Sequence, residues 1–586
     1  MVVLGINSNH ANASACFIED GKILYAMEEE RINRIKNSAG FPSESIRLGL
    51  KYLNLKLEDI NHVAVNINPF AAFFEKIKFT IKNISSINEK FLKFSKSLNK
   101  LNIKNELYKL NDNKKFNFKL HFIEHHISHI SSAFHVSGFE KSLGISIDGS
   151  GDFTSTAIGI CDGNEINILK RIYYPHSLGI FYTSLTKYLG FNNYGDEYKV
   201  MGLSSYGTAK LVSKLSSLID IKNNGEFKLN IKYFTHHKNM DFISIFNKEV
   251  KINNIIDEIK LESLIGIKHR LKNEKVTEMH KDLAYATQYI YEKAFFNILN
   301  YHQKKTKLDT LCLAGGCANN SSANGKILEN TNFKDLFIQP ASTDAGGALG
   351  AALVVDKKIN KNSKKFLMKN IYLGNSFSQK EIKKTLDANK SLFNTKNFKL
   401  YQNLSNESII DKVIEEITCK KIIAIFRDRI EWGSRSLGNR SIIGDPRLDN
   451  MREILNSKIK LREDFRPFAP SILLDKVSEW FEVGNKNTFP FMMEVKKVKL
   501  NKKALIPAVT HVDGTGRLQT VSENENIFYY NLIKKFYAKT GIPILLNTSF
   551  NENEPIVLTP QEAISTFLRT KIDGLILQDN LILKKT

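Results

Sequence analysis

Four side chains in this sequence have the types and spacing to hold one metal ion. His125 and His129 lie in EHHISHISSAF; four residues apart, they share one face of a helix, so both imidazoles can reach one ion. Asp148 ends an apolar strand in ISIDGSGD, and Asp344 follows another in PASTDAGGALG. A carboxylate at a strand end that points into a cleft is costly to bury unless a cation or hydrogen-bond donors meet it. Plainer readings stand beside these. Paired histidines on a helix are often ordinary surface or core residues, and Asp344 before AGGALGAAL suits a helix N-cap. Gly315 and Gly316 in LAGGCANN would let backbone N–H groups approach a phosphate, or simply turn a strand into a helix. Further along, arginines stand in GSRSLGNR (Arg435), REDFRPFAP (Arg466) and DGTGRLQT (Arg517). These arginines sit among Gly, Pro and apolar residues, which fits a cleft better than a solvated face. Guanidinium forks match phosphate oxygens, and lysine adds a mobile point charge. Arg440 and Arg447 rank lower, and one of the two suits a structural pair with Asp445.

The elements that must position these groups show in the apolar periodicity. Strands are expected over Val2 to Asn7, Ser14 to Ile18 and Lys22 to Met27, the last two joined by an Asp20-Gly21 turn, a strong hairpin signal. The pattern recurs: Leu143 to Asp148, the polar loop GSGD, Thr154 to Ile160, and an Asp162-Gly163 turn. Two strand–loop–strand–turn units predict a duplicated α/β domain, whose polar loops suit phosphate or metal between the halves. A helix is expected from about Lys281 to Asn300, with Leu283, Ala286, Ile290 and Ala294 on one face, before a buried strand Thr310 to Ala314. Phe70 to Phe118, rich in Lys, Asn and Phe, reads as covering helices or a lid, with a membrane-surface role ranked second. KKINKNSKK, from Lys357 to Lys365, is the best linker. The expected division is a first domain over 1–356, a linker over 357–368 and a second α/β domain over 369–586. That second domain opens its motif region with a strand Lys421 to Phe426 and closes with Gly574 to Leu583 around an Asp579-Asn580 turn.

Composition narrows the class. A chain of 586 residues with 42% apolar content is too long for one core. No run approaches the ~20 apolar residues that span a bilayer. The N-terminus lacks the basic and apolar regions of a signal peptide, so a cytoplasmic protein with no membrane partner is expected. Cys16, Cys161, Cys312, Cys317 and Cys419 are scattered, which argues against a disulfide framework or a zinc ribbon. The net charge of +23 invites a nucleic-acid reading, but the lysines are dispersed and no nucleic-acid-binding motif is recognised. The charge still favours anionic substrates.

Taken together, these stretches resemble the Kae-type fold of the actin, heat-shock ATPase and sugar-kinase superfamily, a duplicated ribonuclease-H-like fold. More narrowly, nearly the whole chain resembles the carbamoyltransferase family that includes NodU and TobZ. The first domain carries NHANASACFIEDGKILYAMEEERINRIK, EHHISH, SIDGSGD, GDEYKVMGLSSYG, LAGGCANN and PASTDAGGALGAAL. The second carries WGSRSLGNRSIIGDPR, KLREDFRPFAPSIL and ILLNTSFNENEP and is similar to YrdC, which makes carbamoyl-type adenylates.

The resemblance implies that His125, His129, Asp148 and Asp344 bind iron(II) or a similar divalent metal, which would polarise a carbamoyl carbonyl. It implies His10 as general base on an acceptor hydroxyl. Many members read His-Asp-Ala-Ser there, whereas this chain reads His10-Ala11-Asn12-Ala13-Ser14. Lys36, Gly315, Gly316 and Asn320 are implied at the carbamoyl adenylate in the first domain. Arg435, Lys460, Arg466, Arg517, Asn547 and Ser549 are implied at ATP and carbamoyl phosphate in the second. The activity implied is O-carbamoylation of a sugar or natural product, with carbamoyl phosphate as co-substrate and ATP accompanied by Mg2+. A homodimer is compatible with the sequence. Rival readings are a sugar kinase or chaperone-like ATPase on the same superfold, a basic nucleic-acid-binding protein, and a tRNA-modifying threonylcarbamoyl transferase. Acceptor choice falls to inserts such as Phe70 to Phe118 and Thr208 to Val276, and the sequence leaves the acceptor, the metal and the oligomeric state open.

Overall fold

The first apolar runs are buried on both faces, so they read as continuous Val, Leu and Ile stretches rather than as alternating ones. The computed structural model describes residues 1–82, 102–239, 242–361 and 366–585. In it these runs form a sheet of β1 (Val2–Asn7), β2 (Ser14–Glu19), β3 (Lys22–Glu28), β4 (Ile60–Val65) and β5 (Lys119–Phe122), ordered β3-β2-β1-β4-β5. β1, β2 and β3 pair antiparallel; β4 and β5 run parallel to β1. A second sheet contains β6 (Lys141–Gly151), β7 (Thr154–Asp162), β8 (Glu165–Tyr173), β9 (Thr310–Ala314) and β10 (Asp335–Ile338), ordered β8-β7-β6-β9-β10. It too has an antiparallel trio followed by two parallel strands. The sheets match strand for strand, which is the duplicated ribonuclease-H-like arrangement expected from the repeated motif.

Four helices flank these sheets where the polar loops gather: α1 (Phe73–Lys82), α2 (His125–Phe134), α3 (Glu278–Thr306) and α4 (Asp344–Ile359). The run DAGGALGAAL explains how α4 fits. Gly350 lies on the Ser128 carbonyl of α2 with no room for a Cβ, and Gly5 of β1 lies likewise on the Ala348 carbonyl. Small residues therefore let α4 pack backbone against backbone on both neighbours. α4 continues to Ile359, with Lys357 buried, so the segment read as linker begins inside a helix; residues 362–365 of that segment lie outside the described residues. Of the insert 70–118, α1 and a helix over Ile103–Leu110 are described, and 83–101 lie outside. Among the described residues no helix is long and apolar enough to cross a membrane. All five cysteines are free.

The chain divides into two units, Met1–Met368 and Lys369–Thr586. The second is also α/β. Its eight-stranded sheet has mixed orientation, in the order Phe398–Tyr401, Asn580–Lys584, Gly574–Leu577, Ile423–Phe426, Arg440–Gly444, Ile544–Ser549, Ala469–Leu473, Gln519–Val521. Helices Asn406–Thr418, Ile527–Thr540 and Pro560–Arg569 contribute apolar faces to one core with it. A smaller three-stranded sheet, Phe481–Glu482, Val495–Val498 and Thr515–Arg517, carries Arg517 at its edge.

Burial makes stability depend on pH. His236, His302 and His511 are each held down to about 4 by burial first; neighbouring lysines add to it at His302, and Arg517 and Arg452 at His511. An unfolded imidazole takes up its proton near ~6.5. Between that value and about 4 the unfolded chain binds protons that the folded one refuses, so stability falls as pH falls through this window. The thermal midpoint should drop steeply as pH falls from ~6.5 towards 4, read by calorimetry. A flat midpoint across that window would mean that these imidazoles protonate within the fold.

Candidate functional site

Three segments of the first unit bring four side chains to one point. α2 opens at His125, and two carboxylates fix its first turn. Glu124 accepts from the backbone N–H groups of His126 and Ile127 (3.3 and 3.0 Å), and Asp152 accepts from those of His125 and Asn68 (2.9 and 2.8 Å). One turn apart, the Nε2 atoms of His125 and His129 stand 3.1 Å from each other. Asp148 sits where the β6–β7 ladder breaks register. Its Oδ2 lies 3.1 Å from His129 Nε2 and 3.5 Å from His125 Nε2. Asp344 is not the cap of α4, a place that Thr343 takes. Its Oδ1 lies 3.5 and 3.6 Å from the same two nitrogens.

All four ligand atoms fall within 4.8 Å of one another. An ion with bonds of about 2.1 Å spaces its neighbouring ligands roughly 3.0–3.5 Å apart, so this gap has the size of a first-row divalent cation. Both histidines are fully buried, and their Nδ1 atoms have no partner among the described residues. The rings are thus held from the Nε2 side. Electrostatics agree. Burial alone would depress the His125 imidazole, but Asp148 and Asp344 raise it to about 9. Burial alone would raise the Asp148 carboxyl, but the two histidines drive it well below the ordinary carboxylate range. The two carboxylates thus favour positive charge at the cluster, a charge that a divalent cation could supply.

His10 stands beside this cluster, its Nδ1 4.0 Å from Asp344 Oδ2 and its ring centroid 5.3 Å from that of His125. The Asn7 side chain holds its loop by donating to the carbonyls of Ala11 and Asn12 (2.9 and 2.8 Å). Asn9 and Asn12 take left-handed conformations, φ 60 and 55, which asparagine tolerates. The longer loop is absorbed in this way. Backbone N–H groups of Asn9, Asn12 and Ala13 then donate to the carbonyls of Gly40, Asn37 and Ser38, so the loop carrying exposed Lys36 is laced to the loop carrying His10.

Gly315, at φ 90, presses on the backbone of Ile147, and a Cβ on Gly316 would sit 2.9 Å from Asp148 Oδ1. The glycine loop therefore lies directly against Asp148. Gly151 likewise leaves room for the His125 ring. Asn320 is otherwise engaged: it caps the next helix and exchanges both amide hydrogen bonds with Gln288 at 3.0 Å. Sequence reasoning passed over Tyr194 and Glu197. Burial, then Asp344 and Asp148, push the Tyr194 phenol up. Burial raises the Glu197 carboxyl, which accepts from Thr183 Oγ1 at 2.5 Å. The stretch GDEYKVMGLSSYG was the available signal.

In the second unit the arginines gather. Burial first, then the charges of Arg435, Arg462 and Arg466, hold the Arg517 guanidinium well below its ordinary value. Arg466 Nη1 meets Glu463 at 3.2 Å, and Arg462 Nε donates to Asn456 Oδ1 at 2.7 Å. Like charges so placed are costly without an anion, and a phosphate chain is the anion that guanidinium forks fit. Arg462 joins this cluster although its sequence motif did not single it out. Buried Glu431 shapes the loop of Arg435, its Oε1 accepting from the N–H groups of Leu437, Asn439 and Arg440 (2.7, 2.9 and 3.3 Å).

Lys460 is buried, its Nζ donating to the Ser549 carbonyl (2.5 Å) and to Asn551 O and Oδ1 (2.8 and 2.7 Å). Ser549 Oγ donates to Asn551 Oδ1 at 2.8 Å. Asn547 is tied to Ser436 O, Ser471 Oγ and Gln519 Oε1. Both lower-ranked arginines are structural here. Arg440 is fully buried on backbone carbonyls and stacks 3.7 Å over Phe426, and Arg447 grips Asp445.

Comparison with known proteins adds to this geometry. A family model described as the carbamoyltransferase N-terminus matches residues 2–353, and one described as the carbamoyltransferase C-terminus matches 414–584. An uncharacterized protein of Synechocystis sp. is 35% identical over 617 residues, covering 100% of this chain and 97% of that one. The nodulation protein NolNO of Sinorhizobium fredii is 36% identical over 582 residues, covering 98% and 79%. Among solved structures, HypF of T. kodakarensis superposes with a TM-score of 0.32 at 15% identity, covering 62% of this chain and 49% of that one, so this chain spans about half its length.

Proposed function

The chain belongs to the carbamoyltransferase family, and from that premise we propose that it moves a carbamoyl group from carbamoyl phosphate, through carbamoyl adenylate, to a hydroxyl of a sugar or natural product. The observation that carries this reading is the convergence of His125, His129, Asp148 and Asp344 beside His10.

The second unit is read as the YrdC-like half that forms the adenylate. Water cleaves carbamoyl phosphate to carbamate and inorganic phosphate. A carbamate oxygen attacks the α-phosphorus of ATP, the bond to the β-phosphate oxygen breaks, and pyrophosphate leaves. Arg435, Arg462, Arg466 and Arg517 supply the fixed positive charge that this step calls for, with Mg2+ accompanying the nucleotide. Buried Lys460 keeps the Ser549–Asn551 turn in shape.

In the first unit the acceptor hydroxyl gives its proton to His10, the oxygen bonds to the carbamoyl carbon, and the bond to AMP breaks. A neutral imidazole suits that role near pH 7. Two imidazoles and two carboxylates fit iron(II), manganese or zinc. When bound, such an ion would supply Lewis-acid polarisation of the carbamoyl carbonyl. Lys36 and the Gly315-Gly316 loop are assigned to the adenylate phosphate. The co-substrates are cytoplasmic metabolites, so we assign the protein to that compartment.

The test supplies ATP, carbamoyl phosphate and divalent metal with a panel of hydroxylated acceptors. AMP, pyrophosphate and a product heavier by one carbamoyl group are expected. ADP as the nucleotide product would overturn the reading in favour of a kinase or ATPase.

A further inference from the structure

We propose that a hairpin of the first unit, Ile243–Phe246 with Glu249–Ile252, sets the position of His10, and that Lys248 at its tip is the positioning residue. This rests on the reading of His10 as general base. The strands pair antiparallel, from Ile243 with Ile252 to Phe246 with Glu249. Asn247 and Lys248 close them in left-handed conformations, φ 49 and 67. Such a two-residue turn suits a hairpin, and its second place favours glycine. A lysine there is costly unless its contacts hold it.

Those contacts lead to His10. The Lys248 carbonyl accepts from the Ala39 N–H at 2.9 Å. The lysine stem passes over Gly40, where a Cβ would stand 4.0 Å from Lys248 Cγ. Its Nζ lies 3.8 Å from Oε1 of fully buried Glu29. Each of these partners adjoins a support of the His10 loop. Ser38 and Gly40, on either side of Ala39, accept from the N–H groups of Ala13 and Asn9 at 2.8 and 3.1 Å. The Glu29 N–H donates to the Ala13 carbonyl at 2.8 Å. The base of the hairpin is seated elsewhere. Phe242 accepts from the Asn253 N–H at 2.9 Å and packs against Phe153 and Tyr174. It also comes within 4.0 Å of where Gly149 would carry a Cβ. Gly149 follows Asp148, and Phe153 follows Asp152, which accepts from the His125 N–H. The hairpin therefore runs from the turn behind the His–Asp cluster to the loop that carries His10. It links the two groups whose separation decides whether base and carbonyl can meet.

The experiment withdraws the tip of the full chain. Replacing Ile245–Val250 by Asn-Gly closes Ser244 on Lys251 with the same type of turn. The side chains removed are exposed or half-buried, so the thermal midpoint should hold. Hydrogen exchange at the amides of Asn9 and Ala13 should quicken about tenfold or more, with the amides of α2 unchanged. The His10 imidazole resonance should shift. With glucose as the hydroxyl probe, kcat for transfer should fall about tenfold, while KM for ATP and carbamoyl phosphate holds. Lys248→Gly suits the turn, so it should keep or raise the midpoint and still quicken the same amides several-fold. Lys248→Arg should restore wild-type exchange. Unchanged exchange at Asn9 and Ala13 in the shortened protein overturns the proposal. So does quickening that spreads through the first unit, or quickening with undiminished transfer. ADP as the wild-type product would instead overturn the functional reading, and exchange with the imidazole resonance would still decide the positioning.

Discussion

His129→Ala is expected to strip the protein of its divalent ion and to lower carbamoyl transfer by a hundredfold or more, while ATP is still converted to AMP and pyrophosphate when carbamoyl phosphate is present. His129 Nε2 is the best-placed of the four ligand atoms, 3.1 Å from both His125 Nε2 and Asp148 Oδ2. Its removal leaves three ligands and one imidazole to balance two carboxylates. Structural zinc sites with four ligands bind with roughly 10–16 kcal/mol; on that scale one ligand of four carries on the order of 3 kcal/mol, a hundredfold or more in affinity. The helix itself should survive, because Glu124 and Asp152 cap α2 from outside the cluster. His10→Ala is the discriminating control. It should keep its full complement of metal, measured by elemental analysis, and still lose about 10²–10⁴ in transfer as a missing general base. Equal metal loss in both variants would assign His10 to the ligand set. Undiminished transfer by metal-free His129→Ala would detach the cluster from the chemistry.

The sequence exposed those parts of the site that depend on local periodicity. The spacing of His125 and His129 is helical, and Asp148 and Asp344 follow apolar strand-like runs; each can be read within a dozen residues. The duplicated sheet was legible for the same reason, since two strand–turn–strand patterns recur in one order. Contacts set by chain reversal were not. Asp152 reaches the start of α2 only because Asp152 and Phe153 take left-handed conformations, φ 48 and 67, at the β6–β7 turn. Asn320, which the resemblance implies at the adenylate, also exchanges amide hydrogen bonds with Gln288 on α3, 32 residues away, a contact that no local pattern shows. Arg435 and Arg440 share one short loop and one side-chain type. They part only because Arg440 begins a strand paired with Phe426, which turns its guanidinium into the core. Arg462 was missed because Arg466, four residues on, already stood for its motif.

Arg517→Ala should sharply lower adenylate formation and at the same time leave the protein as stable as before or more so. The two effects have one cause. Four guanidiniums, Arg435, Arg462, Arg466 and Arg517, are held close enough for the other three to press the Arg517 proton affinity well down after burial has already done so. Removing one of several like charges from a partly buried group relieves repulsion that the fold otherwise carries. The same charge density is what would draw the ATP phosphates in and stabilise the leaving pyrophosphate. AMP and pyrophosphate formation should therefore fall by about 10²–10³, with metal content unchanged because the His–Asp cluster lies in the other unit. Pyrophosphate should raise the thermal midpoint of the wild type and raise it much less in the variant, since a ligand stabilises only the form that binds it. A structural arginine such as Arg440, saturated by backbone carbonyls, predicts the reverse sign: its loss leaves buried carbonyls without donors and lowers the midpoint. The direction of the midpoint shift thus tells an anion-binding guanidinium from a structural one before any turnover is measured, and a destabilised Arg517→Ala that still responds fully to pyrophosphate would refute the assignment.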